Sequence, residues 1–277
     1  MGSTTMEFLQ TTKQPALTYQ ESVRGLLREF AWNPWFLNSY WPENEPRIRF
    51  MAGLALDKFP DTTGRRILEV GCANGYVAYL FRLLGFDVAA VDAYEDEKRT
   101  ELFRQGGVSY QETNLNVVEP LGEFASESFD LILLGEVFEH ILNSPTGLLR
   151  NILRLLRPGG MLILTTPNPS TFMNAVRLLR DRYVLWGTAE FLTMTKVDEG
   201  RIIDWGDIHY REYPASVVSD SLTNVGYRVA GVKYLRVGNA PAHSFSKRII
   251  KWFIYILGLS RLRLFSPGYV VWAHKPT

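Results

Sequence analysis

The sequence predicts an α/β fold, in which helices cover a largely parallel β-sheet. Short apolar runs bounded by glycine or proline alternate with longer amphipathic segments, which is the pattern of repeated strand and helix units. The chain has 277 residues and 46% of them are hydrophobic, so it is long enough to bury a substantial core. Its single cysteine, Cys72, excludes an intramolecular disulfide framework, and no cluster of cysteine and histidine has structural zinc spacing.

The predicted elements follow in order along the chain. Strands are expected near residues 66–70, 87–91, 108–111, 130–135 and 160–166, with helices near 75–84, 95–105 and 145–156 between them. A later pair of strands is expected near 227–236 and 268–274. Before the first strand, a loop-like segment rich in aromatic residues precedes a predicted helix over residues 46–59.

The most informative motif is the turn after the first predicted strand, in residues 67–75. The strand carries the acidic Glu69 near its end and passes directly into a turn between Gly71 and Gly75. Glycines at such a turn can take positive φ and let the backbone approach a ligand closely. Asp92 ends the second apolar run, where a ribose-binding carboxylate is expected. Together these features predict a nucleoside site.

A nicotinamide or flavin dinucleotide is the competing ligand for this turn. A dinucleotide site needs the spacing Gly-x-Gly-x-x-Gly to hold the pyrophosphate. Here Glu69 precedes the glycines, which suits a cationic ligand that carries an ammonium group and no phosphate. The spacing favours the cationic ligand, and a nucleotide-binding oxidoreductase is the alternative.

Four motifs resemble those of class I S-adenosylmethionine-dependent methyltransferases, in particular the group with the ubiquinone-biosynthesis O-methyltransferases and many small-molecule methyltransferases. They are residues 69–75, Asp92, residues 129–140 and residues 156–160. Two positions depart from the family pattern: Ala73 replaces the usual middle glycine, and Asn114 replaces an Asp that contacts adenine in many members. The resemblance implies a Rossmann-like, seven-stranded, mostly parallel sheet with helices on both faces and an antiparallel last strand.

The resemblance also implies a division of the chain into four parts. Residues 1–60 form an aromatic-rich helical extension or lid, and residues 61–168 form the donor-binding core. Residues 169–213, inserted after the fifth strand, are expected to build the acceptor pocket. Residues 214–277 complete the core with a basic apolar helix and the final strand hairpin.

The same resemblance assigns S-adenosylmethionine as the methyl donor and predicts its contacts. Glu69 is expected at the methionine portion, Asp92 at the ribose hydroxyls, and Asn114 with Leu115 at the adenine. The expected donor-binding residues are Glu69, Gly71, Cys72, Ala73, Gly75, Asp92, Ala93, Asn114, Leu115, Gly135 and Glu136. The local alternatives are a strand-end cap for Asp92 and a helix-start carboxylate for Glu136. No metal is expected, because no spacing compels one; the alternative is a divalent ion that chelates a catechol or sugar diol and is held by Asp204, Asp207, Glu139 and His140.

Methyl transfer to a hydroxyl needs a positioned acceptor and a base for its proton, and histidine is the natural base near neutral pH. His140, which follows Glu139 after the fourth strand, and His209 are the candidates, and Glu139 is counted with them as catalytic. Asp204 or Asp207 is expected to orient His209. The alternative for both histidines is a purely structural role, which is also the role expected of His243 and His274.

Six aromatic residues fall between positions 30 and 41, and they need burial somewhere. They could cover the donor or line the acceptor pocket, or they could only pack the N-terminal helices on the sheet. The expected acceptor-binding residues are Trp32, Trp35, Tyr40, Trp41, Trp205 and Tyr210.

The charge of the chain is unevenly distributed. No Asp or Glu follows Asp220, whereas nine Lys or Arg residues do. Within this end, residues 245–263 form an apolar stretch bracketed by basic residues and too short to span a bilayer. It could lie on an anionic membrane surface, or it could be a core helix packed on the sheet. A nucleic-acid partner is not expected, because no basic stripe interleaved with aromatics runs through the chain.

The resulting expectation is a cytoplasmic enzyme, with membrane association as a further option. It would transfer a methyl group to a hydroxyl of a small or medium-sized acceptor: a sugar or glycan, a polyketide-like natural product, or a lipid-linked molecule. The alternatives are methylation at nitrogen or carbon, and a non-catalytic methyltransferase-fold binding subunit, for which Ala73 and Asn114 would be the first signs of decay. The sequence does not address the oligomeric state.

Overall fold

A computed structural model describes residues 18–94, 96–117, 120–142, 144–180, 182, 197–198, 201–202, 209–235 and 262–277. The helices are α1 (Tyr19–Glu29), α2 (Trp41–Lys58), α3 (Tyr76–Leu83), α4 (Glu97–Gly106), α5 (Thr146–Leu155), α6 (Phe172–Leu179) and α7 (Ala215–Val225). The strands of the main sheet are β1 (Arg66–Val70), β2 (Asp87–Asp92), β3 (Ser109–Glu112), β4 (Phe129–Gly135), β5 (Leu156–Pro167), β6 (Arg228–Tyr234) and β7 (Gly268–His274).

The seven strands form one sheet in the order β3-β2-β1-β4-β5-β7-β6. Strands β1 to β5 pair in parallel, and β7 is antiparallel to both of its neighbours, β5 and β6. The Rossmann-like sheet with an antiparallel last strand is therefore confirmed. Because β2 and β3 extend to one side of β1 and β4 and β5 to the other, the carboxyl ends of β1 and β4 flank the crevice where open α/β sheets bind ligands.

The sheet has a buried layer on each face, and β4 shows how the sequence creates both. Its side chains alternate: Leu131 and Leu133 pack in the layer that includes α1, α2 and α3, while Ile132 and Leu134 pack in the layer that includes α5 and α7. Successive residues of a strand point to opposite faces, so a strand buried on both sides is a continuous apolar run. The predicted helices on both faces are confirmed.

The N-terminal region corrects one prediction. The segment before residue 46 is helical rather than loop-like: a π-helix, Phe36–Tyr40, runs directly into α2, which begins at Trp41. Tertiary packing explains the difference, because Phe36 and Trp41 are buried and the Phe36 ring lies 4.4 Å from that of Tyr76 between centroids. Burial of these rings stabilises the helical conformation more than the prolines within the segment destabilise it.

The insertion and the cationic end are described only in part. In the insertion, two short strands, Val197–Asp198 and Arg201–Ile202, pair in antiparallel fashion. Residues 236–261, which hold His243 and most of the basic apolar stretch, lie outside the described residues. Among the helices of the described ranges, none is both long enough and apolar enough to cross a bilayer.

Candidate active site

A cavity of about 500 Å³ lies at the carboxyl ends of β1, β2 and β4. The predicted site residues that line it are Gly71, Ala73, Asp92, Ala93, Asn114, Leu115, Glu136, His140 and Tyr210. Distant parts of the chain, from the first strand to the loop before α7, therefore converge on one space. Four predicted donor residues, Glu69, Cys72, Gly75 and Gly135, do not line this cavity.

The glycine turn is held tightly against β2. The backbone N–H groups of Gly71 and Cys72 both donate to the Val91 carbonyl, at 2.9 and 3.0 Å, and Gly75 N–H donates to the Cys72 carbonyl at 2.7 Å. Gly71 has a φ of +76°, and a Cβ there would lie 2.3 Å from Cγ2 of Val137. Only glycine fits this position without displacing the wall of the cavity.

Gly71→Ala is expected to lower the free energy of unfolding by about 2–5 kcal/mol, since it combines a left-handed backbone with a steric overlap. Gly64→Ala is the matched control, because Gly64 has a similar φ of +69° but nothing within 4 Å of its Cβ position. That control should cost only about 1–2 kcal/mol. Denaturant unfolding of both variants measures the difference, and equal losses would contradict the steric argument.

Asp92 and Asn114 occupy the walls of the cavity. Oδ2 of Asp92 accepts a hydrogen bond from the Ala73 N–H at 2.7 Å, which couples the end of β2 to the glycine turn. Oδ1 of Asn114 accepts from the Asn116 N–H at 2.8 Å, so the loop after β3 turns along the cavity. Leu115 adds an apolar surface beside it.

Glu69 is buried, with 7% of its surface exposed, on the face of β1 that packs toward α2 and α3. Among the described residues its Oε2 has no hydrogen-bond partner. Burial raises the pKa of Glu69 to about 8. An unpaired buried carboxyl oxygen is costly unless a ligand satisfies it, so this side chain fits a donor that carries an ammonium group.

Arg47 is the main residue that the sequence analysis missed. Its side chain, on α2, is 11% exposed; its Nη1 donates to Oγ1 of Thr165 at 3.0 Å and lies 3.4 Å from Oε1 of Glu136. Oγ1 of Thr165 in turn donates to the same carboxylate at 2.8 Å. Arg47 lies one helical turn before Met51 and next to Ile48, and both of these residues are buried. This helical spacing could have identified Arg47 as a residue that faces the core.

The loop before α7 is anchored beside Glu139. The backbone N–H groups of Tyr210 and Arg211 donate to the Glu139 carbonyl, at 3.0 and 3.4 Å. This brings the rings of His209 and His140 together, with centroids 5.0 Å apart. Nδ1 of His209 lies 2.8 Å from Oε1 of Glu212, and its Nε2 lies 4.0 Å from Oε1 of Glu139. Glu212 is thus the partner of His209, whereas Asp204 and Asp207 lie outside the described residues.

Glu139 is the buried centre of this cluster. Its Oε2 accepts from Oγ1 of Thr166 at 2.8 Å, and burial together with the charge of Glu136 raises the pKa of Glu139 above its usual range. One potential ligand atom each from Glu139, His140 and His209 lies within 4.8 Å of the others, so in the described part of the chain these three residues could hold a metal ion.

The predicted acceptor residues are dispersed. Tyr210 lines the cavity described above, while Trp32 is 60% exposed and lines a neighbouring cavity of about 780 Å³. Trp35 is exposed and its ring lies 5.5 Å from that of Tyr40. Trp41 is buried in the core. Trp205 lies outside the described residues.

The chain is similar to known methyltransferases. Residues 43–224 match a family model described as a methyltransferase domain. The ubiquinone biosynthesis O-methyltransferase of Maricaulis maris is 31% identical over 218 residues, which cover 72% of this chain and 83% of that protein. The protein of the same name from Caulobacter sp. (strain K31) is 33% identical over 182 residues, 60% of this chain and 71% of that protein.

Two examples illustrate the solved structures that share the fold. One is the Burkholderia thailandensis 1,6-didemethyltoxoflavin-N1-methyltransferase with bound S-adenosylhomocysteine, with a TM-score of 0.52, 16% identity, and coverage of 96% of this chain and 94% of that chain. The other is a Haloferax volcanii methyltransferase in complex with the Trm112 activator, with a TM-score of 0.56, 14% identity, and coverage of 96% and 100%. By its fold, its matched domain and its relatives, the chain belongs to the S-adenosylmethionine-dependent methyltransferases.

Proposed function

We propose that this methyltransferase acts on a hydroxyl of a small or medium-sized acceptor, with His209 as the general base. The observation that carries the proposal is the placement of His209 between Glu212 and the buried Glu139, next to the cavity that His140 and Tyr210 line. Among the acceptor classes considered, a lipid-linked one is favoured, because the relatives are named as O-methyltransferases of ubiquinone biosynthesis.

The donor is proposed to lie across the glycine turn. Glu69 would bind its ammonium group, Asp92 its ribose hydroxyls, and the loop with Asn114 its adenine. Arg47 and Thr165 hold the carboxylate of Glu136 at the cavity wall, which fixes that side of the site. When bound, S-adenosylmethionine supplies a methyl group already activated by its sulfonium.

The protein then has to orient the acceptor and remove its proton. In the tautomer that carries its proton on Nδ1, His209 donates to Glu212, which leaves the lone pair on Nε2 to take the hydroxyl proton. The imidazolium that forms is stabilised by the Glu212 carboxylate 2.8 Å away. Glu139 positions the base, because its carbonyl holds the loop that carries His209.

The direct test is methyl transfer from S-adenosylmethionine to a panel of lipid-linked phenols, glycans and polyketides, detected as a mass increase of the acceptor. A product methylated at oxygen supports the proposal. A product methylated at nitrogen or carbon would contradict the assigned acceptor atom. Donor binding without turnover on any acceptor would favour the non-catalytic binding subunit instead.

Donor binding is expected to depend on pH through Glu69. With a pKa of about 8, this carboxyl is about nine-tenths protonated at pH 7 in the free protein. A bound ammonium favours the ionised form of Glu69, so donor binding below pH 8 releases the proton of this carboxyl. The affinity for the donor therefore rises with pH and levels off above about pH 8. Calorimetry from pH 6 to about 9 on wild type and Glu69→Gln measures this, because the ratio of their affinities removes the titration of the donor itself. A ratio that does not change with pH would reject the role of Glu69.

Contact with an anionic membrane is proposed from the charge of the C-terminal end alone, since most of the basic apolar stretch lies outside the described residues. Co-sedimentation with vesicles at low salt should be stronger when the lipid is anionic than when it is zwitterionic. Binding at background level to both kinds of vesicle would dismiss this contact.

A further inference from the structure

The middle residue of the glycine turn adopts a conformation that alanine disfavours. Ala73 has a φ of +45°. It lies in the chain between Gly71, with a φ of +76°, and Gly75, with a φ of +79°. The Cβ of alanine is crowded in this left-handed region, whereas glycine enters it freely. The chain therefore needs some other interaction to keep Ala73 in the conformation of the turn.

Both backbone polar groups of Ala73 are held by side chains from beyond the turn. Its N–H donates to Oδ2 of Asp92 at 2.7 Å, and its carbonyl accepts from Nη1 of Arg99. The two bonds fix the peptide planes on either side of the Ala73 Cα. They act on φ and ψ together, which is what a left-handed residue requires.

Arg99 is placed to do this by three further contacts. It lies in the first turn of α4 and is only 4% exposed. Its Nη2 donates to the Tyr94 carbonyl and, at 2.7 Å, to the hydroxyl of Tyr110, whose ring centroid lies 4.4 Å from the guanidinium carbon. A buried cation is unfavourable unless hydrogen bonds compensate it, and this one joins the glycine turn, the loop after β2 and strand β3.

We propose that Arg99 is a positioning residue of the donor site, which holds Ala73 in the left-handed conformation that a glycine would adopt unaided. Through Ala73 it also fixes the carboxylate of Asp92, because that carboxylate accepts the Ala73 N–H. The inference rests on the proposed placement of the donor across this turn. It explains how the chain tolerates alanine where its family usually has glycine.

A double-mutant cycle tests the inference. The dissociation constant of S-adenosylhomocysteine is measured by calorimetry for wild type, Arg99→Met, Ala73→Gly and the double variant. Arg99→Met is expected to weaken binding about tenfold in the wild-type background, the scale of a lost hydrogen bond to a charged group. In the Ala73→Gly background the same substitution should weaken binding no more than about threefold, because glycine keeps the turn without help.

Arg104→Met is the matched control. Arg104 lies on the same helix but is exposed and bonds only to Glu101 in the described structure, so its replacement should leave the dissociation constant unchanged. Thermal unfolding of each variant shows whether it is folded. If Arg99→Met does not fold, the cycle uses Arg99→Lys, whose single ammonium cannot reproduce the planar set of bonds.

The outcomes separate the inference from the donor assignment. Equal losses from Arg99→Met in both backgrounds would overturn the inference, since Arg99 would then act independently of Ala73, either through Tyr94 and Tyr110 or directly on the donor, whose cavity it lines. Failure of the wild-type chain to bind S-adenosylhomocysteine would overturn the donor placement and the inference with it. A loss confined to the Ala73 background supports both.

Discussion

Replacement of His209 by alanine is expected to lower kcat by about 10²-fold or more, the usual scale for a lost general base. Donor affinity should be retained, because His209 does not line the donor cavity and pairs, among the described residues, with Glu212 and Glu139. Single-turnover kinetics with a responsive acceptor measures the first quantity, and calorimetry with S-adenosylhomocysteine measures the second. The fall in kcat with an unchanged dissociation constant is the signature of a proton-transfer role.

Two variants sharpen this test. Glu212→Gln keeps a hydrogen-bond acceptor for Nδ1 but removes the charge that stabilises the imidazolium, so its rate should fall between those of wild type and His209→Ala. His274→Ala is the control, because His274 lies on β7 paired with Met161, away from the cavity. A near-wild-type rate in His209→Ala would reject His209 as the base. His140→Ala would then test the remaining candidate, His140.

Asp92→Ala is expected to raise the dissociation constant of the donor by about 10²-fold or more. The carboxylate is proposed to accept both ribose hydroxyls, and a hydrogen bond to a charged group contributes about 1.5–3 kcal/mol. The variant also removes the acceptor of the Ala73 N–H, so Ala73 loses one of the two side-chain hydrogen bonds that hold it. Calorimetry with S-adenosylmethionine and S-adenosylhomocysteine measures the effect on both ligands.

Asp92→Asn separates the two roles of this side chain. The amide oxygen can still accept the Ala73 N–H, but the charge that favours the ribose contacts is absent. Affinity between that of wild type and that of Asp92→Ala is therefore expected. Wild-type affinity in Asp92→Ala would show that Asp92 only caps its strand, which is the local alternative raised by the sequence.

Much of the fold could be predicted because its signals are local. The strands β1, β2 and β4 are apolar runs with clear boundaries, and the turn between Gly71 and Gly75 is marked by residues that permit positive φ. The backbone conformation of such residues can be predicted from the local sequence, without knowledge of distant contacts. Membership of the methyltransferase family also settles the choice of ligand against the dinucleotide alternative.

Other features of the site depend on contacts between distant segments. The bond from Arg47 to Thr165 joins residues 118 positions apart, and that from Arg99 to Ala73 joins residues 26 apart. The contact of Glu212 with His209 was not predicted for a related reason: which of several nearby carboxylates meets a histidine depends on how its loop is anchored, here by the Glu139 carbonyl.

The sequence by itself therefore determined the strands, the glycine turn and the family, because periodicity and glycine positions act over a few residues. The tertiary structure alone decided which charged side chains meet, how Ala73 is held, and that the aromatic segment is helical. These features arise from packing between elements, where burial and hydrogen bonding to distant partners outweigh local preference.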